Sequence, residues 1–307
     1  MNQVHRSGFA CVVGRPNTGK STLTNALVGT KVAIASDKPQ TTRHIIRGIV
    51  TTDDSQLVIM DTPGIHRPRT LLGERLNQLV YDTWSEVDVI GVCLPCPERI
   101  GPGDRHLVGE IAGLKHRPVL IALATKLDLA PKPRIREHLI DVANLEQELG
   151  IEWAEIVPVS AVTGENVDLV CELLMARLPE GPAFYPDGEV TDEPTETLIA
   201  ELIREVALSA AREELPHSIT VTIEEMGLRE GRDDEHPLLD IFANLVVERD
   251  SQKPIILGRK AARLKEIGTV ARQRISRLVG TPVYLDLKVK VVKEWQRDPK
   301  ALNRLGF

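Results

Sequence analysis

Apolar residues in segment 8–178 come in short runs rich in Val and Ile. Between them lie stretches whose apolar positions recur at helical spacing. The runs at 8–14, 45–51, 56–61, 87–94, 118–124 and 154–159 predict strands, and 20–28, 71–86, 104–115, 134–149 and 167–178 predict helices. Short, branched, nearly continuous apolar runs suit strands covered on both faces. Their alternation with helices predicts an α/β domain built on a doubly wound, mostly parallel sheet.

The pattern breaks after Leu178. Leu178-Pro179-Glu180-Gly181-Pro182 is followed by Pro186-Asp187-Gly188 and acidic residues to Glu196. Proline, glycine and acid without periodicity predict a linker over 180–196, which sets domains at 1–179 and 197–307. Beyond it, Leu198, Leu202, Ile203 and Val206 share one face of a helix predicted over 196–214. Strands are predicted at 218–225 and 241–249, with a polar segment at 228–236 between them. Ile255-Ile256-Leu257-Gly258 then leads into a helix over 261–279, and an alternating strand follows at 283–292. The order α-β-β-α-α-β predicts a smaller α+β domain.

Composition is that of a globular protein, with 42% hydrophobic and 27% charged residues. No apolar run approaches the roughly 20 residues that span a bilayer. The N-terminus does not read as a signal peptide, so a cytoplasmic protein is expected. The net charge of −6 is an average over two unlike parts. Segment 251–307 holds 14 Lys/Arg against 4 Asp/Glu, a balance of +10, and the rest holds 24 against 40, a balance of −16. That asymmetry points to an anionic partner for the C-terminal end. Cys93-Leu94-Pro95-Cys96 has no second cysteine pair for zinc, and Cys93 ends an apolar run, so it is expected in a core.

Gly14-Arg15-Pro16-Asn17-Thr18-Gly19-Lys20-Ser21 fits G-x-x-x-x-G-K-[ST] between a predicted strand and a predicted helix. Glycines let backbone N–H groups turn toward a phosphate chain, and the helix N-terminus adds partial positive charge. Lys20 can reach the outer phosphates and Ser21 can ligate magnesium. The loop alone specifies a nucleoside triphosphate, not its base. Asp61-Thr62-Pro63-Gly64 closes a strand, where a carboxylate can hold the magnesium's water shell and a glycine lets backbone approach the terminal phosphate. Gln40-Thr41-Thr42-Arg43 lies between and offers hydroxyls for the same metal. Thr125-Lys126-Leu127-Asp128 ends a later strand. Asp128 can accept from guanine N1–H and N2–H, a donor pair that adenine lacks. The backbone of Ser160-Ala161-Val162-Thr163-Gly164 can read guanine O6.

These five elements, in this order, resemble the signature of translation-factor-type GTPases. With the Pro-Asp-Gly linker and the basic C-terminal module, the whole chain resembles the Era family of ribosome-assembly GTPases. The resemblance implies a P-loop GTPase domain followed by a type II KH domain. It implies GTP/GDP and Mg2+ as ligands, the 3′ end of 16S rRNA and the 30S subunit as partners, a role in small-subunit biogenesis, a monomer, and peripheral attachment to the membrane. Nucleotide contacts are implied for Gly14, Arg15, Pro16, Asn17, Thr18, Gly19, Lys20, Ser21, Thr22, Asp61, Thr62, Pro63, Gly64, Thr125, Lys126, Asp128, Ser160 and Ala161. Lys20, Thr42 and Gly64 are implied in catalysis, and Ser21, Thr42 and Asp61 in holding magnesium. Ile256, Gly258, Arg259, Lys260, Arg263 and Lys265 are implied in binding RNA.

Four positions qualify this picture. Thr125 stands where the family has Asn, so guanine selectivity is expected through Asp128 with some loss of affinity. Ala261 replaces the last glycine of the KH G-x-x-G loop, which predicts weaker or more salt-dependent RNA binding. Ile65 follows Gly64 where many small GTPases place a water-orienting Gln, so intrinsic hydrolysis should be slow. Asn17 is either a turn residue or, as in related GTPases, a potassium ligand. Two rival functions are a P-loop phosphotransferase, which Asp128 and 160–164 oppose, and an RNA-binding module with residual GTPase activity.

Overall fold

The computed structural model describes residues 5–35, 41–65, 67–210, 219–232 and 235–307. The chain divides into two compact units, the bulk of the first ending at Asp192 and the bulk of the second running from Glu193 to Phe307.

The first unit is a six-stranded sheet, β1 (Arg6–Val13), β2 (Ile46–Thr51), β3 (Ser55–Asp61), β4 (Val89–Pro95), β5 (Val119–Thr125) and β6 (Glu155–Pro158). Their order is β2-β3-β1-β4-β5-β6, parallel except for β2, which pairs antiparallel with β3 across a three-residue connection. A loop that short can join only antiparallel neighbours, which is why the edge departs from the parallel pattern. Helices α1 (Lys20–Val28), α2 (Leu71–Trp84), α3 (Pro102–Ala112), α4 (Lys132–Leu149) and α5 (Val167–Met175) cover both faces. Strand alternation divides the core in two. Ala10, Val12, Cys93, Ile121 and Leu123 join Leu23, Leu27, Val170 and Leu174 of α1 and α5. Cys11, Val13, Ile90, Val92 and Ala122 join Val80, Trp84, Leu107, Ile111, Val142 and Leu145 of α2, α3 and α4. Cys93 lies in the core as expected, and burial pushes its thiol up to about 12.

The segment expected to be a linker is, up to Asp192, part of this unit. The side chain of Gln56, fully buried, accepts from the Phe184 (2.7 Å) and Tyr185 (2.9 Å) amides and donates to the Tyr185 carbonyl (2.9 Å). Ile49 N–H of the edge strand β2 donates to Val190 (2.9 Å), and Asp192 takes Arg47 and the Tyr185 hydroxyl. The segment covers an open strand edge, where unpaired backbone groups would otherwise invite association. Its composition reads as linker because most of these bonds are made by backbone atoms, which residue types do not announce.

The second unit runs α6 (Thr195–Ala210), β7 (Thr220–Leu228), β8 (Leu239–Val247), α7 (Lys253–Leu257), α8 (Ala262–Val279), β9 (Val283–Val291) and α9 (Pro299–Arg304). Strand β8 is central, antiparallel to β7 and parallel to β9. Leu202, Ile203 and Val206 of α6 and Ile267, Ala271 and Ile275 of α8 pack with Ile241, Ala243, Leu245 and Val289 of the sheet. This is the predicted α+β order, with residues 211–214 and 218 of the expected elements outside the described set. Helix α9 was not expected. Asp298 caps it by accepting from the Lys300 amide (3.0 Å), with Pro299 at its first position, a start signal present in the sequence.

Candidate functional site

The loop between β1 and α1 is shaped by two glycines. Gly14 has φ +157°, and a Cβ there would sit 2.6 Å from Thr18 Oγ1 and 2.9 Å from the Cys93 carbonyl. Gly19, φ +98°, immediately precedes α1. Lys20 is buried, and its ammonium donates to the carbonyls of Gly14 (3.0 Å) and Arg15 (2.9 Å). Burial lowers its pKa, with Asp61 opposing. Asn17 stands at φ +64°, a left-handed turn position that Asn tolerates well.

Three hard oxygen groups meet beside Lys20. Ser21 Oγ donates to Asp61 Oδ2 (2.7 Å), Thr42 Oγ1 donates to the same oxygen (3.2 Å), and the two hydroxyls are 3.0 Å apart. Asp61 is fully buried, and its Oδ1 has no hydrogen-bond partner among the described residues. Burial raises its pKa to about 6, against the Ser21 bond, the Lys20 charge and the Thr42 bond. A buried carboxylate with an open oxygen, flanked by two hydroxyls, suits a hard divalent cation.

The raised acid has a consequence for stability. Between the ordinary Asp value of 3.8 and about 6, the folded metal-free protein holds more protons than the unfolded chain. Its stability should therefore fall as pH rises through that window. Denaturant midpoints in chelator across pH 4–6 should show the slope, and Asp61→Asn should flatten it.

Gly64 lies against the phosphate loop, where a Cβ would sit 2.9 Å from Pro16 N and 3.2 Å from Lys20 Nζ. Thr62 donates to the Val12 carbonyl (3.2 Å). Ile65 packs against the α2–α4 core cluster and has no group that could orient water. Gln40 lies outside the described residues.

At the far end, Thr125 Oγ1 donates to the Thr18 carbonyl (2.7 Å). That hydroxyl thus ties the end of β5 to the loop between β1 and α1. Asp128 Oδ1 accepts from Ser160 Oγ (2.6 Å), which orients the carboxylate. Only the backbone of segment 160–164 was expected to contribute, so the Ser160 side chain is an addition.

In the second unit, Gly258 (φ +68°, ψ −178°) turns the chain out of α7, where a Cβ would meet Arg263 Cβ at 2.8 Å. Lys260 (φ +52°) and Ala261 (φ +59°) follow, both left-handed. Arg259, Lys260 and Lys265 are exposed, and no ion pair engages them among the described residues. Two expected RNA residues are otherwise engaged. Ile256 is fully buried in the sheet–helix core, because α7 turns that face inward. Arg263 donates to the Ile255 carbonyl, closing the end of α7. Ala261 carries the steric cost of a Cβ in left-handed backbone, so Ala261→Gly should stabilise the protein by about 0.5–1 kcal/mol in chemical denaturation.

Comparisons with known proteins agree with both units. The family model described as 50S ribosome-binding GTPase matches residues 9–126, and that of the KH domain matches 214–296. GTPase Era of Nocardioides sp. is 65% identical over 303 residues, covering 99% of this chain and 96% of that protein. GTPase Era of Streptomyces coelicolor is 61% identical, with 99% and 96% covered. The crystal structure of an Era in complex with MgGDPNP and nucleotides 1506–1542 of 16S ribosomal RNA superposes with a TM-score of 0.91 at 36% identity, covering 98% of this chain and 99% of that one. An Aquifex aeolicus Era variant bound to GDP and AlF4- matches with the same score and identity. The chain belongs to the Era family: it is a GTP-hydrolysing, RNA-binding GTPase with a C-terminal KH domain.

Proposed function

We propose that the protein is a magnesium-dependent GTP switch whose KH domain holds the 3′ end of 16S rRNA during biogenesis of the 30S subunit. The meeting of Ser21, Thr42 and Asp61 beside Lys20 carries this reading. Those three residues would hold magnesium, which when bound neutralises charge on the phosphoryl oxygens. Lys20 supplies a second positive charge in a dry setting, where it acts strongly. With the terminal phosphate and magnesium bound, Thr42 would add a ligand to the metal and hold its own segment at the site, and hydrolysis would remove that tie. The relative crystallised with MgGDPNP and 16S rRNA supports both ligands.

Hydrolysis is slow without help, because Ile65 is apolar. Asn17 is assigned as a potassium ligand that supplies part of that help. Turnover should be several-fold faster in potassium than in sodium, and equal rates would remove the assignment. Arg259, Lys260 and Lys265 supply phosphate contacts, and Ala261→Gly should tighten RNA binding by admitting the backbone closer. The protein acts in the cytoplasm as a monomer. The family resemblance supports peripheral membrane attachment, which vesicle flotation would check.

Crosslinking to total RNA with a GTP analogue, GDP or no nucleotide tests the assignment. Recovery of the 16S rRNA 3′ end, strongest with the analogue, is expected, and recovery of no rRNA contradicts it. Phosphate release from GTP without an added acceptor separates the switch from a phosphotransferase.

A further inference from the structure

The second residue of the phosphate loop is built into a cluster that neither the motif nor the comparisons assign. Arg15 Nε donates to Asp104 Oδ1 (2.7 Å), and Arg15 Nη2 donates to Glu98 Oε2 (2.8 Å). Asp104 is almost wholly buried, and its other oxygen accepts from the Gly101 amide (2.8 Å) at the start of α3. The arginine stem lies against Gly103, where a Cβ would sit 2.8 Å from Arg15 Cδ. One buried carboxylate therefore fastens α3 with one oxygen and the phosphate loop with the other.

The main chain of Arg15 explains why this matters. Its carbonyl accepts from Lys20 Nζ (2.9 Å) and from Thr18 Oγ1 (3.0 Å). Lys20 is buried, and the carbonyls of Gly14 and Arg15 set the direction of its ammonium. A side chain held at two points restricts rotation of its own peptide unit. The geometry points to Arg15, Asp104 and Glu98 as positioning residues that aim Lys20 at the outer phosphates. Arg15 thus serves the loop through its carbonyl, while its guanidinium is directed to α3.

This inference rests on GTP hydrolysis at the site, so wild-type protein is measured alongside. Arg15→Gln removes the fork. Because Lys20 serves the outer phosphates, kcat for GTP should fall about 10-fold. GDP affinity should change less than about 3-fold, and preference for GTP over ATP should be retained. Glu98→Gln, at a half-exposed carboxylate, should lose about 2-fold. Arg15→Gln combined with Asp104→Asn should be no slower than Arg15→Gln alone, since both break one link. Arg177→Gln, which removes the pair with Glu155 at the start of β6, should leave turnover unchanged.

Wild-type kcat in both Arg15→Gln and Glu98→Gln would overturn the inference. So would equal losses of GTP and GDP affinity with a lower melting temperature, the mark of a purely structural ion pair. If Arg15→Gln does not fold, Glu98→Gln decides through the same kcat-to-GDP comparison. Failure of the wild type to hydrolyse GTP would instead remove the reading of the site itself.

Discussion

Asp128→Ala lowers GTP affinity by about 10²–10⁴-fold and brings the preference for GTP over ATP close to one. The carboxylate would accept two charge-assisted bonds from guanine, each contributing about 1.5–3 kcal/mol. Ser160 Oγ already holds Oδ1 at 2.6 Å, so the acceptor is oriented in advance and little ordering cost accompanies binding. The residue is exposed, so its removal leaves no cavity and the melting temperature should stay near wild type. Titration with fluorescent GTP and ATP analogues measures the effect. A variant that still prefers GTP strongly would mean that guanine is read elsewhere.

Lys20→Met separates function from stability. The ammonium is held in a dry setting that lowers its pKa, a cost the fold bears for the site. Methionine has similar length and no charge, so the folded state should lose little stability, while kcat should fall about 10²–10³-fold, as for other preorganised transition-state donors. Single-turnover hydrolysis and a thermal melt on the same sample check both halves. Loss of rate accompanied by unfolding would make Lys20 a structural residue.

The phosphate loop, the Asp61 strand end and the base-reading strand end were legible because each depends on residue types at fixed spacing next to a strand. The α/β alternation was legible for the same reason: strands buried on both faces cannot alternate with polar residues. Other features depended on tertiary position. Nothing local to Ile256 distinguishes a residue facing RNA from one facing the sheet, and α7 turned it inward. The segment up to Asp192 looked like linker because its docking uses backbone atoms and one distant side chain, Gln56. Thr125 looked like a weakened Asn, yet its hydroxyl reaches Thr18, 107 positions away, and braces the loop. Arg15 reads from sequence only as a nucleotide contact, because its partners, Glu98 in the loop before α3 and Asp104 within α3, lie more than 80 residues on.

Nucleotide state should govern contact with ribosomal RNA. The decisive titration is of the full chain with an oligonucleotide of the 16S rRNA 3′ end, in magnesium, with a non-hydrolysable GTP analogue or with GDP. Binding several-fold tighter with the analogue, weakening with salt as expected for phosphate contacts, is the predicted result. Equal affinity in the two states would contradict it.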